Sequence, residues 1–326
     1  MVATAVIPGN SPDVRVWLNG RIVDADGARL PHLTHSFHYG LAAFEGIRAY
    51  QVAPGQGAVF RLREHCRRLV DSAHIATLDI GLEYSVDDLA AACVAALQAN
   101  NLAEGYLRPV IYIADGAMGI GASGNPIHVL IAAWKWGAYL GEEGLRNGIR
   151  AKISAFQRPG HATVMSKAKI TGHYVNSILA KREALACGAD EAILLNEQGY
   201  VTEASGENIF MVQNGVLITP PLGMNILGGI TRATILQMAR DLGMPAEERL
   251  FARDELYCAD EVFLTGTAAE VTPVRVVDGR KIGVGFRGPI TERLQSAYFD
   301  VVKGRNAKYG DWLTKFSITQ AASIFS

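Results

Sequence analysis

Long apolar runs, bulk charge and paired cysteines are all scarce in this chain, and each shortage removes a class of function. The most apolar stretch, Val129 to Trp134, is cut short by Lys135. It falls far below the roughly 20 residues that a membrane-spanning helix requires. The first residues lack a basic region followed by an apolar run, so no secretory leader is expected. The formal net charge is −1. That offers no general attraction to nucleic acid or an anionic membrane, which leaves small-molecule chemistry as the better expectation. The four cysteines, Cys66, Cys93, Cys187 and Cys258, stand far apart with no C-x-x-C. They are expected as reduced thiols of a cytoplasmic protein. H-E-x-x-H, the phosphate-binding G-x-x-x-x-G-K and G-x-S-x-G are also missing, so the common zinc-protease, nucleotide and serine-hydrolase signatures have no foothold.

What is present is a core-forming composition. The 326 residues are 49% hydrophobic and 19% charged, enough for one large domain or two ordinary ones and unlike a disordered chain. Val16-Trp17-Leu18 and Arg21-Ile22-Val23 flank Asn19-Gly20, a hairpin signal. Cys66, Leu69, Val70 and Ala73 recur at helical spacing after Arg61, and Ser85 to Asp88 opens a second helix. Tyr106–Ala114 and Ile127–Trp134 fit buried strands. Gly137, Gly141 and Gly144 then mark an aperiodic connection. Beyond it, strands are expected at 191–196, 200–202, 209–213 and 216–219, and helices at 174–187, 230–242 and 290–302. Strands and helices mix without regular alternation, which predicts two α+β domains. The expected layout is a small domain over 1–132, a connecting loop over 133–145 and a larger domain over 146–326 that carries the key lysine. The tail after Phe316 shows no pattern.

Several motifs compete for the chemistry. Gly119, Gly121 and Gly124 match G-x-G-x-x-G, but Asn125-Pro126 and a β-rich run follow instead of a helix. A plain glycine loop is therefore preferred to a nicotinamide site. His32, His35 and His38 have metal-like spacing in a segment that reads as a strand entering a turn. Residues three apart in a strand point to opposite faces, so no metal is expected. Lys169, in M-S-K-A-K-I-T-G-H-Y, and Glu203, opening E-A-S-G-E-N-I-F, carry more. A lysine amine forms a Schiff base with an aldehyde cofactor, and a carboxylate beside a pyridine nitrogen keeps it protonated. Gly228-Gly229-Ile230-Thr231-Arg232 opens a helix, a place for an anion. Thr265-Gly266-Thr267-Ala268 could present successive amides, and Arg61 a bidentate fork. Taken singly, each is as readily an ordinary turn or a solvated side chain. Their joint occurrence fits one phosphorylated cofactor, pyridoxal 5'-phosphate.

The same segments resemble a known family. They are H-Y-G-L-A-A-F-E-G-I-R (38–48), V-F-R-L-R-E-H (59–65), Y-L-R-P (106–109), M-G-I-G (118–121), W-G-A-Y-L-G (136–141), K-I-T-G-H-Y (169–174), E-A-S-G-E-N-I-F (203–210), G-I-T-R (229–232) and T-G-T-A-A-E (265–270). In this order they resemble the fold-type IV pyridoxal phosphate aminotransferases, specifically the branched-chain amino acid aminotransferases, from about Trp17 to about Trp312.

The resemblance implies a two-domain α+β enzyme of the D-amino acid aminotransferase-like fold. It implies that Lys169 binds the cofactor covalently and moves the substrate proton. It places Tyr174 on the cofactor's phenolic oxygen, Glu203 on the pyridine nitrogen, and Arg61, Ile230, Thr231, Gly266 and Thr267 on the phosphate. Tyr39, Phe44, Trp136 and Tyr139 would line an apolar pocket, while Tyr106, Arg108 and the turn at Ala268 would meet substrate carboxylates. The implied reaction moves an amino group between leucine, isoleucine or valine and 2-oxoglutarate, in a cytoplasmic homodimer or larger homo-oligomer. D-amino acid or (R)-amine transamination and aminodeoxychorismate lyase chemistry stay open as same-fold alternatives. A non-enzymatic ligand-binding protein is the rival from another class.

Overall fold

Asn19 and Gly20 both take positive φ, 43° and 89°, as a two-residue hairpin turn demands. They join β1 (Arg15–Leu18) to β2 (Arg21–Asp24). The computed structural model describes residues 14–79, 82–137 and 139–318; the rest of the C-terminal tail, from 319, lies outside them. The chain forms two compact units.

The first unit holds residues 14–136, 168–172 and 300–318. After the hairpin come α1 (His35–Tyr39), β3 (Ala42–Phe44), β4 (Ile47–Ala53), β5 (Gln56–Phe60), α2 (Leu62–Ile75), α3 (Val86–Ala99), β6 (Gly105–Ile113) and β7 (Ile127–Trp134). The sheet runs from the chain's last strand, Leu313–Ser317, through β5, β4, β6, β7 and β1 to β2, with β3 also on β6. Ser85 caps α3 in a reciprocal box with Asp88. Leu69 and Cys66 of α2 and Leu89 and Cys93 of α3 are buried in one core with Leu107 and Val129 of the sheet.

The second unit, Gly137–Lys167 with His173–Phe299, contains α4 (Glu142–Asn147), β8 (Ile149–Ile153), α5 (Tyr174–Ala186), β9 (Glu191–Leu195), β10 (Val201–Ala204), β11 (Asn208–Gln213), β12 (Val216–Thr219), α6 (Ile230–Asp241), β13 (Ala246–Glu248), α7 (Arg253–Tyr257), β14 (Glu261–Gly266), β15 (Glu270–Val277) and β16 (Arg280–Lys281). Its last helix, α8 (Pro289–Val302), runs on past Phe299. The sheet path β10-β9-β8-β15-β14-β11 closes on itself, because β10 also pairs with β11 through Glu203 and Asn208. Glu203 therefore sits at the seam of a closed sheet. Ile193, Leu195, Ile209, Met211 and Leu264 fill its core.

Three expectations need correction. The segment around His35 and His38 is the short helix α1, ended by Gly40 at φ 72°, not a strand. His35 Nε2 meets the Gly119 carbonyl at 2.9 Å and His38 Nε2 the His32 carbonyl at 2.8 Å. No cluster of three or more metal-ligating side chains occurs among the described residues. The connection is shorter than expected: β7 continues to Trp134, and α4 occupies 142–147. The unit boundaries also differ. Residues 168–172, with Lys169, belong to the first unit, because Ile170 bridges Ala43 and Gly172 N–H donates to Gly40. Residues 300–318 join it because the last strand pairs with β5. No helix among the described residues is long and apolar enough to cross a membrane.

Candidate active site

In the first unit, backbone pairing fixes Lys169. Its N–H donates to Ser72 Oγ at 2.9 Å and its carbonyl accepts from Phe44 N–H at 3.0 Å. Its half-buried side chain reaches over the Phe44 ring, Nζ 4.8 Å from the centroid. The Arg108 guanidinium lies 4.9 Å from the same centroid and 5.7 Å from that of Tyr106. Trp136 meets Tyr106 edge-on at 4.5 Å. A Cβ on Gly46 would collide with the Tyr106 hydroxyl, so only glycine fits there. One amine, one guanidinium and three aromatic rings thus share a single neighbourhood. Arg108 Nε is buried there without a hydrogen-bond partner, a state that costs about 1–3 kcal/mol unless an acceptor binds.

Two further residues expected at the site have contacts of their own in this unit. Arg61 begins α2 at φ 52°, ion-paired with Glu64 and 4.6 Å above the Trp312 ring. Tyr39 is 42% exposed and packs on His35, with centroids 4.5 Å apart.

In the second unit, Glu203 is 6% exposed and held on both oxygens. Arg158 meets Oε1 at 2.7 Å, while Asn208 Nδ2 and Leu227 N–H each donate to Oε2 at 3.0 Å. Arg158 also donates to the Asn225 carbonyl, which anchors it in turn. Gly229 precedes α6, and a Cβ there would strike the Asn208 side-chain oxygen. The residue that positions Glu203 thus also positions the start of α6, where Ile230 and Thr231 are buried. Thr265 Oγ1 is buried without a partner just before Gly266 and the turn through Thr267 and Ala268 into β15. Tyr174 opens α5, and Lys181 Nζ lies 5.3 Å from the centroid of Tyr139.

Sequence reading missed Arg158, Asn208 and a buried ionic group in the first unit. Glu45 is fully buried; His65 Nδ1 meets its Oε2 at 2.8 Å and Arg68 Nε its Oε1 at 2.5 Å. Burial alone would raise the Glu45 carboxyl, but Arg68 and His65 outweigh it and hold it well below the usual carboxylate range. Burial lowers His65, assisted by the charges of Arg68 and Lys169 and opposed by Glu45. The signal was legible: one carboxylate inside the apolar run L-A-A-F-E-G-I. Glu45→Ala would strand Arg68 without its partner and should cost about 3–5 kcal/mol, read as a lower urea midpoint. An unchanged midpoint would refute a stabilising role. Because the folded carboxyl is depressed, this contribution is present above the ordinary carboxylate range and is lost as pH falls through and below it.

These groups fit a phosphorylated pyridine aldehyde. The first unit offers a positioned amine and the unpartnered Arg108 Nε, and the second offers a clamped carboxylate, a glycine-entered helix start and the unpartnered Thr265 Oγ1, the kinds of group that its carbonyl, ring nitrogen and anionic ends require. The family model "Amino-transferase class IV" matches residues 42–277. A branched-chain-amino-acid aminotransferase of Pseudomonas aeruginosa is 50% identical over 299 residues, covering 92% of this chain and 96% of that one. The crystal structure of the Escherichia coli branched-chain amino acid aminotransferase superposes with TM-score 0.89 at 43% identity, covering 92% and 98%. The branched-chain amino acid aminotransferase from Thermobaculum terrenum, solved in its PLP-bound holo-form, gives 0.86 at 34% identity, covering 92% and 97%. With the match spanning both units and every residue of the clamped carboxylate's strand, this α+β chain belongs to the class IV aminotransferase family.

Proposed function

We propose that the protein transaminates leucine, isoleucine or valine with 2-oxoglutarate, using pyridoxal 5'-phosphate. The observation that carries this reading is the Glu203 carboxylate, buried and ion-paired with Arg158 at 2.7 Å. A bound pyridine needs such a group to keep its nitrogen protonated. The cofactor, when bound, supplies an electron-accepting ring. Lys169 Nζ would hold it covalently, and its amine, when free, would take up and return the proton of the substrate Cα. Tyr174 hydrogen-bonds the phenolic oxygen. Arg61 and the backbone of Ile230, Thr231, Gly266 and Thr267 hold the phosphate.

Phe44, Tyr39, Trp136 and Tyr139 contact the branched side chain, and Tyr106, Arg108 and Ala268 the carboxylates. We further place the enzyme in the cytoplasm as a homodimer or larger homo-oligomer. A panel of amino donors with 2-oxoglutarate tests the assignment. Branched-chain L-amino acids should exceed D-amino acids and (R)-amines; the reverse order would favour the same-fold alternatives.

Arg108 makes the dual specificity concrete. One site must accept an apolar leucine side chain and the distal carboxylate of glutamate. The buried, unpartnered Nε beside the Phe44 and Tyr106 rings offers both surfaces. A hydrogen bond to a charged group contributes about 1.5–3 kcal/mol. Arg108→Met should therefore lower kcat/KM for 2-oxoglutarate roughly 10- to 150-fold. Single-turnover deamination of leucine should change less. Equal losses for both would show that Arg108 binds the shared α-carboxylate.

A further inference from the structure

The second unit buries three carboxylates, Glu191, Glu203 and Glu207, near one another, and Glu207 lies behind the proposed phosphate turn. Asn208 pairs with Thr265 across β11 and β14, which sets Glu207 opposite Gly266. A Cβ on Gly266 would lie 3.3 Å from Glu207 Cγ. Glu207 itself is 6% exposed. The charged and titratable groups around it are Glu191 of β9, Glu203 of β10 and Lys181 of α5.

These groups divide unevenly. Glu203 has Arg158. Glu191 has Lys181, together with Ser205 Oγ donating at 2.5 Å and the Ala192 N–H at 2.8 Å. Glu207 receives the Gly206 N–H at 3.2 Å. The cation whose charge acts on Glu207, Lys181, is already paired with Glu191. A buried carboxyl in that position keeps its proton.

We propose that Glu207 is a positioning residue whose neutral carboxyl supports the Gly266–Thr267 turn, and that its ionisation weakens anion binding there. The second half of this statement rests on the phosphate role proposed for the turn; the first half does not. Burial, reinforced by Glu191 and Glu203 and opposed by Lys181, pushes the Glu207 carboxyl up to about 8. Ionisation above that value would place an uncompensated negative charge directly behind Gly266.

The test compares wild type with Glu207→Gln, which keeps the neutral shape and cannot ionise. The probe is pyridoxamine 5'-phosphate, which forms no covalent bond to Lys169. Wild type and variant should bind it alike near pH 7. By about pH 9.5 the wild-type Kd should have risen about tenfold relative to the variant's, as expected when one proton is linked to binding.

A second measurement needs no ligand chemistry. The folded carboxyl holds its proton over a range where the unfolded chain has lost it, so wild-type stability falls as pH rises from the ordinary carboxylate range to about 8 and then levels off. The Tm of the full-length protein as purified should therefore drop below that of Glu207→Gln across that window. If pyridoxamine phosphate binds but both comparisons stay flat with pH, the proposal is overturned. If the wild type binds no pyridoxamine phosphate at any pH, the cofactor reading fails and takes the turn's role with it. Should Glu207→Gln not fold, a wild-type Kd showing no rise with midpoint near pH 8 overturns the proposal alone.

Discussion

Lys169→Ala should yield a folded protein that lacks the visible cofactor absorbance bleached by borohydride and has lost nearly all turnover. The lysine is asked to serve both as the covalent anchor and as the acid and base at Cα. Proton transfer by a positioned group alone contributes about 10²–10⁴-fold, so a loss of at least about 10³-fold is expected with both roles removed. The fold should survive, because the contacts that fix this segment come from the backbone: the bonds to Ser72 and Phe44, and the bridge from Ile170 to Ala43. Lys167→Ala is the matched control. Its Nζ donates to the Leu222 and Ile226 carbonyls, so it anchors a loop, and the variant should keep both colour and turnover. Retention of the absorbance in Lys169→Ala would remove the assignment.

The contrast between these two lysines shows what the sequence could disclose. Local signals were legible where local physics decides. Asn19-Gly20 made its hairpin, Ser85 and Asp88 their capping box, and Gly243 its left-handed turn after α6. The order of motifs around Lys169 and Glu203 was legible too, because chemistry constrains residue type at those positions. Membership of each unit was not. Lys169 lies between segments of the second unit, yet its backbone pairs with β3, a contact more than a hundred residues away along the chain. Residues 300–318 follow a helix that begins in the second unit but end as a strand on β5. Long-range pairing of this kind leaves no trace in periodicity. His35 misled for the opposite reason: a five-residue helix is too short to show a period.

The supporting residues were the least visible. Arg158 stands 45 positions before Glu203, and nothing in its neighbourhood marks it as the partner of a buried carboxylate. Asn208 was within reach of inference. The turn at Ser205-Gly206 folds β11 back on β10, and that register brings Asn208 opposite Glu203. Its amide can then donate to Oε2 while its oxygen blocks any side chain at Gly229.

That arrangement sets the expected result for Glu203→Gln. The substitution keeps the shape and an oxygen able to accept from Asn208 and Leu227, but removes the charge that Arg158 meets at 2.7 Å. Charge develops on the pyridine ring only as the substrate Cα proton leaves, so the carboxylate acts more strongly on the transition state than on the bound cofactor. Removing one preorganised electrostatic partner of this kind costs about 10²–10³-fold in kcat. Pyridoxamine phosphate affinity should fall much less, since the proposed phosphate contacts lie on other elements. Leaving Arg158 buried without a counter-charge is a second source of loss, and Asn208→Ala separates the two causes. It preserves the ion pair but releases one oxygen of the carboxylate, so it should lower kcat by roughly tenfold, in keeping with one hydrogen bond to a charged group. A graded series, with Glu203→Gln well below Asn208→Ala and both retaining cofactor, supports charge as the working element. An unchanged kcat in Glu203→Gln would refute the role, and equal losses in the two variants would show that the carboxylate matters for position rather than charge.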